Sequence, residues 1–309
     1  MKNKVAVLGS GPAGLTAAIY TSRAGLETTV FAGRVPGGML TWTSKVENYP
    51  GFADGIDGID LMMAMQTQAE KFGAKIEYDE IKELNFSTDG KMHQIILSDG
   101  KSREYDAVIL AMGAEPRKLG IPAEERLRGR GVSSCATCDG AFFKDVPVVV
   151  AGGGDSAFEE ANYLTRFASE VHLVHRRNEF RASEHLINRA KNNPKIKIHT
   201  GVVVTDISGI DHVDGVVIKS VSDGVTGTIP CRGFFCAFGH TPKTALVEGK
   251  LPLDESGCII TCCHGSCTDI PGVFAAGDCM DPIYRQAVTA AGSGCKAALD
   301  AIRYLEDAR

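Results

Sequence analysis

Two stretches of the chain share one pattern of apolar and polar positions. Each opens with a short apolar run (residues 5–8; Val146 and residues 148–150, with Pro147 near the start) and then passes through clustered glycines. Each continues with small and apolar residues at helical spacing, such as Leu15, Ala17, Ala18 and Ile19, and returns to an apolar run at residues 28–31 or 170–174. Short unbroken apolar runs predict strands covered on both faces, as in a parallel sheet. The pattern therefore predicts strand, glycine turn, helix and strand, twice. Further strands are expected at residues 107–110 and 233–238. Each is followed by a segment ending in proline, Met112-Gly113-Ala114-Glu115-Pro116 and Gly239-His240-Thr241-Pro242, which suits a linker because proline discourages helix before it. Residues 257–261 also read as a strand, and residues 270–276 as an apolar strand ending in Gly277-Asp278. A last helix is expected from about Arg285-Gln286-Ala287, with the small residues Ala287, Ala290, Ala291 and Gly294 along one face.

The glycine turns carry a chemical expectation. Gly9-Ser10-Gly11-Pro12-Ala13-Gly14 fits G-x-G-x-x-G between strand and helix. In that context the first glycine permits a tight turn, the second lets backbone approach a pyrophosphate, and the third lets helix and strand pack closely. The helix N-terminus then offers free N–H groups to the anion. The alternative is a glycine-rich turn without a ligand. No carboxylate follows the second strand, where Phe31-Ala32-Gly33-Arg34 stands, so a ribose there must be held otherwise. The second turn, Gly152-Gly153-Gly154-Asp155-Ser156-Ala157, fits G-x-G-x-x-A. Its second strand runs into His175-Arg176-Arg177, with Arg181 beyond. A basic cluster in that position suits a 2′-phosphate and so favours NADP(H) over NAD(H); the alternative is a solvated basic loop. Asp278, after Gly277, could accept a hydrogen bond from a sugar-alcohol hydroxyl such as those of the ribityl chain of FAD. The expected fold is therefore α/β, with two Rossmann-like dinucleotide-binding domains. An NADP domain (residues 116–243) is inserted into an FAD domain (residues 1–115 and 244–309).

Composition narrows the class. The 309 residues are 44% hydrophobic and 23% charged, an ordinary globular mix with room for two cores. No run approaches the ~18 apolar residues of a membrane span. The apolar run after the basic N-terminus stops at Gly9, short of an export signal. A cytoplasmic protein is expected. The net charge of −5, with no long basic tract, argues against nucleic acid or a membrane as partner.

Ten cysteines are too few for a disulfide scaffold, so close pairs stand out. Cys135-Ala136-Thr137-Cys138-Asp139-Gly140 places two thiols three residues apart near a helix start, where a small disulfide ring can form and a thiolate is stabilised. Asp139 could relay the proton that the exchange requires, or be a surface turn residue. Zinc is the rival reading of the pair and would need two more ligands. Cys258, Cys262, Cys263, His264 and Cys267 form an uneven later cluster, expected in a connecting loop. Incidental surface thiols, a disulfide of Cys262 or Cys263 with Cys267, and a metal site all remain open there. We expect no metal.

Together these motifs resemble the low-molecular-weight, bacterial-type thioredoxin reductases over essentially the whole chain. The matching residues are Gly9 to Gly14, Gly37-Gly38, Val46-Glu47-Asn48-Tyr49-Pro50-Gly51, Cys135 to Gly140, Gly152 to Ala157, His175-Arg176-Arg177, Phe180-Arg181-Ala182, and Gly277-Asp278 with Tyr284-Arg285-Gln286-Ala287. The resemblance implies FAD and NADPH as cofactors and a homodimer. FAD would lie against Gly9 to Gly14, Gly33, Gly37, Gly38, Met39, Asn48, Gly277, Asp278, Arg285, Gln286 and Ala287. NADPH would lie against Gly152, Gly154, Asp155, Ser156, His175, Arg176, Arg177 and Arg181. It implies hydride transfer to flavin, then to a Cys135–Cys138 disulfide, with Cys138 facing the flavin, Cys135 attacking thioredoxin and Asp139 as acid and base. Met39 and Met112 depart from the family pattern, where glutamine and threonine are common. The chain ends soon after its last helix, so the CxxC is expected to be the final donor. Rival readings are a related flavin-dependent disulfide reductase acting on another small protein dithiol, a ferredoxin-driven reductase, a dithiol oxidase, and a non-catalytic nucleotide sensor.

Overall fold

The computed structural model describes residues 2–43, 45–89, 92–262 and 265–307. The chain divides into two compact units, one formed by Met1–Glu115 with Thr241–Arg309, the other by Pro116–His240. Residues 241–243 go with the larger unit. There the Lys243 amide donates to the Gly113 carbonyl and the Lys243 ammonium lies 2.6 Å from the Glu115 carboxylate.

The larger unit is built on a five-stranded parallel sheet, in the order Val273–Ala275, Ala107–Leu110, Lys4–Leu8, Glu27–Phe31, Lys75–Glu77. Its central strands are apolar and sealed, with Val5, Ala6, Val7, Ala107, Val108, Ile109 and Leu110 all at 0% exposure. The helices Pro12–Arg23, Gly58–Lys71 and Ala287–Asp307 belong to this unit. The last of these buries Ala290, Ala291, Gly294, Ala297, Ala298 and Ala301. A Cβ on Gly294 would strike the Ala13 carbonyl, so the two helices meet backbone to backbone near the first turn of Pro12–Arg23. An antiparallel sheet of Ile81–Asn85, His93–Leu97 and Ser102–Tyr105 completes the unit.

The smaller unit repeats the plan. Its parallel sheet runs Ile196–Thr200, Glu170–His175, Pro147–Ala151, Gly233–Cys236, Val132–Ser133, and a three-stranded antiparallel sheet follows at Val202–Ser208, Gly215–Ser220 and Thr226–Pro230. The helix Asp155–Leu164 follows the second glycine turn. The mixed α/β architecture and both strand–turn–helix–strand units are thus present.

Two expected strands differ. Residues 257–261 form only an isolated bridge between Ile259 and Leu253. Gly257 takes a φ of +84°, and the Asp254 carboxylate collects the amides of Ser256 and Cys258, which closes a turn instead. The strand before Gly277 is only Val273–Ala275, because Pro271 has no amide to donate and Gly272 takes a φ of +80°. No helix among the described residues is long and apolar enough to cross a membrane.

Candidate functional site

In the larger unit, Gly9 takes a φ of +110° and its missing Cβ leaves room for the Ala111 carbonyl; a Cβ on Gly14 would collide with the Gly9 carbonyl. Gly11 is open, with only the Gly37 carbonyl near its Cβ direction, at 4.0 Å. Gly11 caps the helix Pro12–Arg23 with no side chain on the first amides and no acid in the first turn. An anion can take those amides directly. The buried Ser10 hydroxyl ties this turn to its surroundings, donating to the Ala32 carbonyl and accepting from the Gly37 amide at 2.9 Å. Gly33, Gly37 and Gly38 all have positive φ, and Gly38 begins the short 3-10 turn Gly38–Trp42 that contains the half-buried Met39. Where the strand lacks a carboxylate, the exposed Arg34 pairs with Glu80.

The C-terminal motif joins this cradle. A Cβ on Gly277 would lie 2.9 Å from the Ala13 Cβ, and the Gly277 amide donates to the Ser293 hydroxyl. Burial pushes the neighbouring Asp278 carboxyl up to about 6, helped by Asp281 and opposed by the Arg285 guanidinium. Arg285 itself sits at a φ of +49°, and its buried Nε has no acceptor among the described residues. The Asn48 amide donates to the Gln286 side chain, 238 residues on, at 3.2 Å. Ala287 begins the last helix. These features fit a dinucleotide carrying hydroxyls: bare amides for a pyrophosphate, a half-buried acceptor at Asp278, and an orphaned donor at Arg285.

The smaller unit holds the second turn. Gly154 caps its helix without a side chain. Gly152 and Gly153 have no room for a Cβ, against the Ala237 carbonyl and the His175 ring respectively. The Arg181 amide donates to the Gly153 carbonyl at 2.9 Å, and the Asp155 carboxylate accepts from the Ser183 amide at 2.7 Å. This folds the segment after Glu170–His175 back over the glycines. Arg176, Arg177 and Arg181 are exposed, as is Ser156, and none of the three arginines has an ion-pair partner among the described residues. Such a loop, with uncommitted guanidinium groups beside bare helix amides, fits a nucleotide that carries an extra phosphate.

Also in the smaller unit, Cys135 and Cys138 are joined by a disulfide, with Cα atoms 5.3 Å apart. Cys135 caps the single helical turn Ala136–Asp139, and its Sγ accepts from the Cys138 amide at 3.2 Å. Burial pushes the Asp139 carboxyl above its ordinary value, with a Ser133 hydrogen bond opposing. Ser133 also accepts from the Cys135 amide at 3.1 Å. A half-buried acid that holds its proton unusually well therefore directly follows the sulfur pair.

The model for the pyridine nucleotide-disulphide oxidoreductase family matches residues 3–294. The thioredoxin reductase of Mycolicibacterium smegmatis is 48% identical over 303 residues, covering 98% of this chain and 96% of that one. The chain belongs to the thioredoxin reductase family. A bifunctional thioredoxin reductase/thioredoxin of Mycobacterium leprae is also 48% identical; 99% of this chain matches, spanning 66% of that protein. Among solved structures, the thioredoxin reductase of Streptococcus pyogenes superposes with a TM-score of 0.94 at 40% identity, covering 99% of this chain and 100% of that one.

Two residues of this thioredoxin reductase family member escaped the reading of its sequence. Ser133 looks like any loop serine. Glu160 follows Glu159 on the helix Asp155–Leu164, yet burial pushes its carboxyl up to about 8; the Ala136 amide opposes the shift and Glu159 adds to it. Only the phase of the helix distinguishes the two acids. One of the later cysteines also needs correction. Cys258 is buried rather than on a surface loop, with its thiol 3.9 Å from the Asp278 carbonyl. Cys262 is exposed and Cys267 half-buried, both with free thiols. Cys263 and His264 lie outside the described residues. Among the described residues no group of His, Cys, Asp and Glu is arranged to hold a metal ion.

Proposed function

We propose that the protein is a thioredoxin-disulfide reductase, drawing electrons from NADPH through FAD and the Cys135–Cys138 disulfide to oxidised thioredoxin. The observation that carries this is the Cys135–Cys138 disulfide, capped on a helical turn and followed by the proton-retaining Asp139. FAD, when bound, supplies the two-electron carrier between nicotinamide and disulfide. The amides after Gly11 and the open face of Gly11 would hold its pyrophosphate, and Asp278 would accept from its sugar-alcohol chain. Gly33, Gly37, Gly38, Met39, Asn48, Arg285, Gln286 and Ala287 would line the rest of that cradle. Backbone amides of the turn at Gly152, Gly154, Asp155 and Ser156 would carry the NADPH pyrophosphate, with the Asp155 carboxylate turned to the Ser183 amide. His175 would shape the loop from which Arg176, Arg177 and Arg181 grip the 2′-phosphate.

Once the pair is reduced, the Cys135 thiolate attacks a thioredoxin sulfur and releases the other as a thiol. Cys138 then attacks Cys135, which restores the internal disulfide and frees reduced thioredoxin. Asp139 gives up its proton to the departing sulfur and regains it in the next cycle. This reading includes a cytoplasmic location and a homodimer; sedimentation of the purified protein tests the dimer, and cell fractionation tests the location. The catalytic test is NADPH-dependent reduction of a thioredoxin disulfide by the wild type and by Cys135→Ser and Cys138→Ser. Both variants should lose turnover, and retained turnover in either would refute the assignment.

A further inference from the structure

We propose that Cys262 and Cys267 form a second dithiol–disulfide couple, separate from Cys135–Cys138, which low-molecular-weight disulfides oxidise. Backbone hydrogen bonds among described residues bring the two together. The Cys262 amide donates to the Cys267 carbonyl at 2.9 Å, and the Gly265 amide returns to the Cys262 carbonyl at 3.0 Å. A direct backbone hydrogen bond between the two residues holds their Cα atoms close, as the ~4.4–6.8 Å span of a disulfide requires. The side chains converge as well. The Cys262 thiol donates to the Cys267 carbonyl at 3.3 Å, and its nearness contributes to raising the Cys267 thiol above its ordinary value, after burial and Asp300.

The Cys267 side of the turn is fixed. Cys267 bridges to Phe274, the Ala275 amide donates to the Ser266 carbonyl, and the Ser266 hydroxyl donates to Asp300 on the last helix at 2.6 Å. Cys262 is exposed to attack, and Cys267 is reachable too, since it lines a groove of about 360 Å³ with Asp300, Arg303 and Tyr304. Among the described residues, Cys231, Cys236, Cys258 and Cys279 are free but buried, and Cys295 on the last helix is half-buried. Burial pushes Cys231 up to about 12 and Cys279 up to about 11, and it raises the Cys267 thiol as well.

The chemistry closes without a further reagent. The Cys262 thiolate attacks a disulfide RS–SR, forming Cys262–SR and releasing RS⁻. The Cys267 thiol then loses its proton and displaces the second RS⁻. The protein gives up two electrons and two protons; RS–SR becomes two RSH. The intermediate predicts a division of labour: Cys262 takes up the mixed disulfide and Cys267 resolves it.

The test treats the flavin-loaded protein with oxidised glutathione, blocks remaining thiols with N-ethylmaleimide, and maps disulfides by peptide mass spectrometry. The wild type and Cys263→Ser should both lose two alkylatable thiols per chain and yield a Cys262–Cys267 linkage. Cys267→Ser should instead retain glutathione on Cys262, and Cys262→Ser should leave Cys267 open to alkylation. Full alkylation of both thiols in the treated wild type, or a linkage of Cys263 with Cys267, would overturn the proposal. The mapping reads this peptide directly, so its outcome is independent of whether thioredoxin is the acceptor at Cys135.

Discussion

Replacing Glu160 by glutamine should flatten the pH dependence of stability. The Glu160 carboxyl titrates near 4.5 when solvated, and burial in the folded chain moves it to about 8. Between those values the folded chain holds a proton that the unfolded chain has released. Stability therefore falls as pH rises through that window: the contribution of the neutral acid is fully present below about 4.5 and is lost as pH approaches 8. At ~1.36 kcal/mol per unit, the loss between pH 5 and pH 8 comes to roughly 3 kcal/mol. A glutamine oxygen can still accept from the Ala136 amide, so Glu160→Gln keeps that contact and removes the titration. Urea unfolding followed by circular dichroism at several pH values from 5 to 8 measures this. The wild type should lose about 3 kcal/mol more than the variant over that range. Parallel pH profiles for the two proteins would refute a neutral acid at this half-buried site.

Other outcomes follow from the same geometry. The double variant Arg176→Ala, Arg177→Ala removes two charge-assisted contacts of roughly 1.5–3 kcal/mol each, so the kinetic preference for NADPH over NADH should drop about 10²-fold or more; an unchanged ratio would remove the 2′-phosphate assignment. Gly294→Ala pushes a methyl group into the Ala13 carbonyl, a rigid neighbour, and should cost about 1–3 kcal/mol and lower the flavin content of the purified protein. Full flavin loading with unchanged stability would show that the helix contact does not shape the cradle. In Cys138→Ser, NADPH should still bleach flavin in stopped-flow experiments while thioredoxin reduction is lost, because hydride reaches flavin before the disulfide; loss of bleaching would place the cysteine earlier in the path.

The residues that could be read from sequence are those whose chemistry needs a fixed local pattern. Gly9, Gly11 and Gly14 are spaced by the geometry of one turn, and so are Gly152, Gly154 and Ala157. Cys135 and Cys138 are spaced by one turn of helix, which also places Asp139. Gly277-Asp278 was legible because an apolar run stops there, although the strand itself shrinks to three residues. The antiparallel sheets were not legible. Strands such as Ile81–Asn85 are short and mostly exposed, and their partners are chosen by tertiary packing rather than local pattern. Residues 257–261 looked like a strand by residue type, but Asp254, outside the run, captures the amides of Gly257 and Cys258. Pairings such as Asn48 with Gln286 and Ser266 with Asp300 join distant segments, and no local spacing announces them.

The most direct test of the electron path is an anaerobic visible spectrum of the purified protein. The oxidised preparation should be yellow, bleach on adding NADPH, and recolour on adding oxidised thioredoxin. A colourless preparation, a flavin that NADPH does not bleach, or a bleached flavin that thioredoxin leaves unchanged would contradict the proposed path through Cys135 and Cys138.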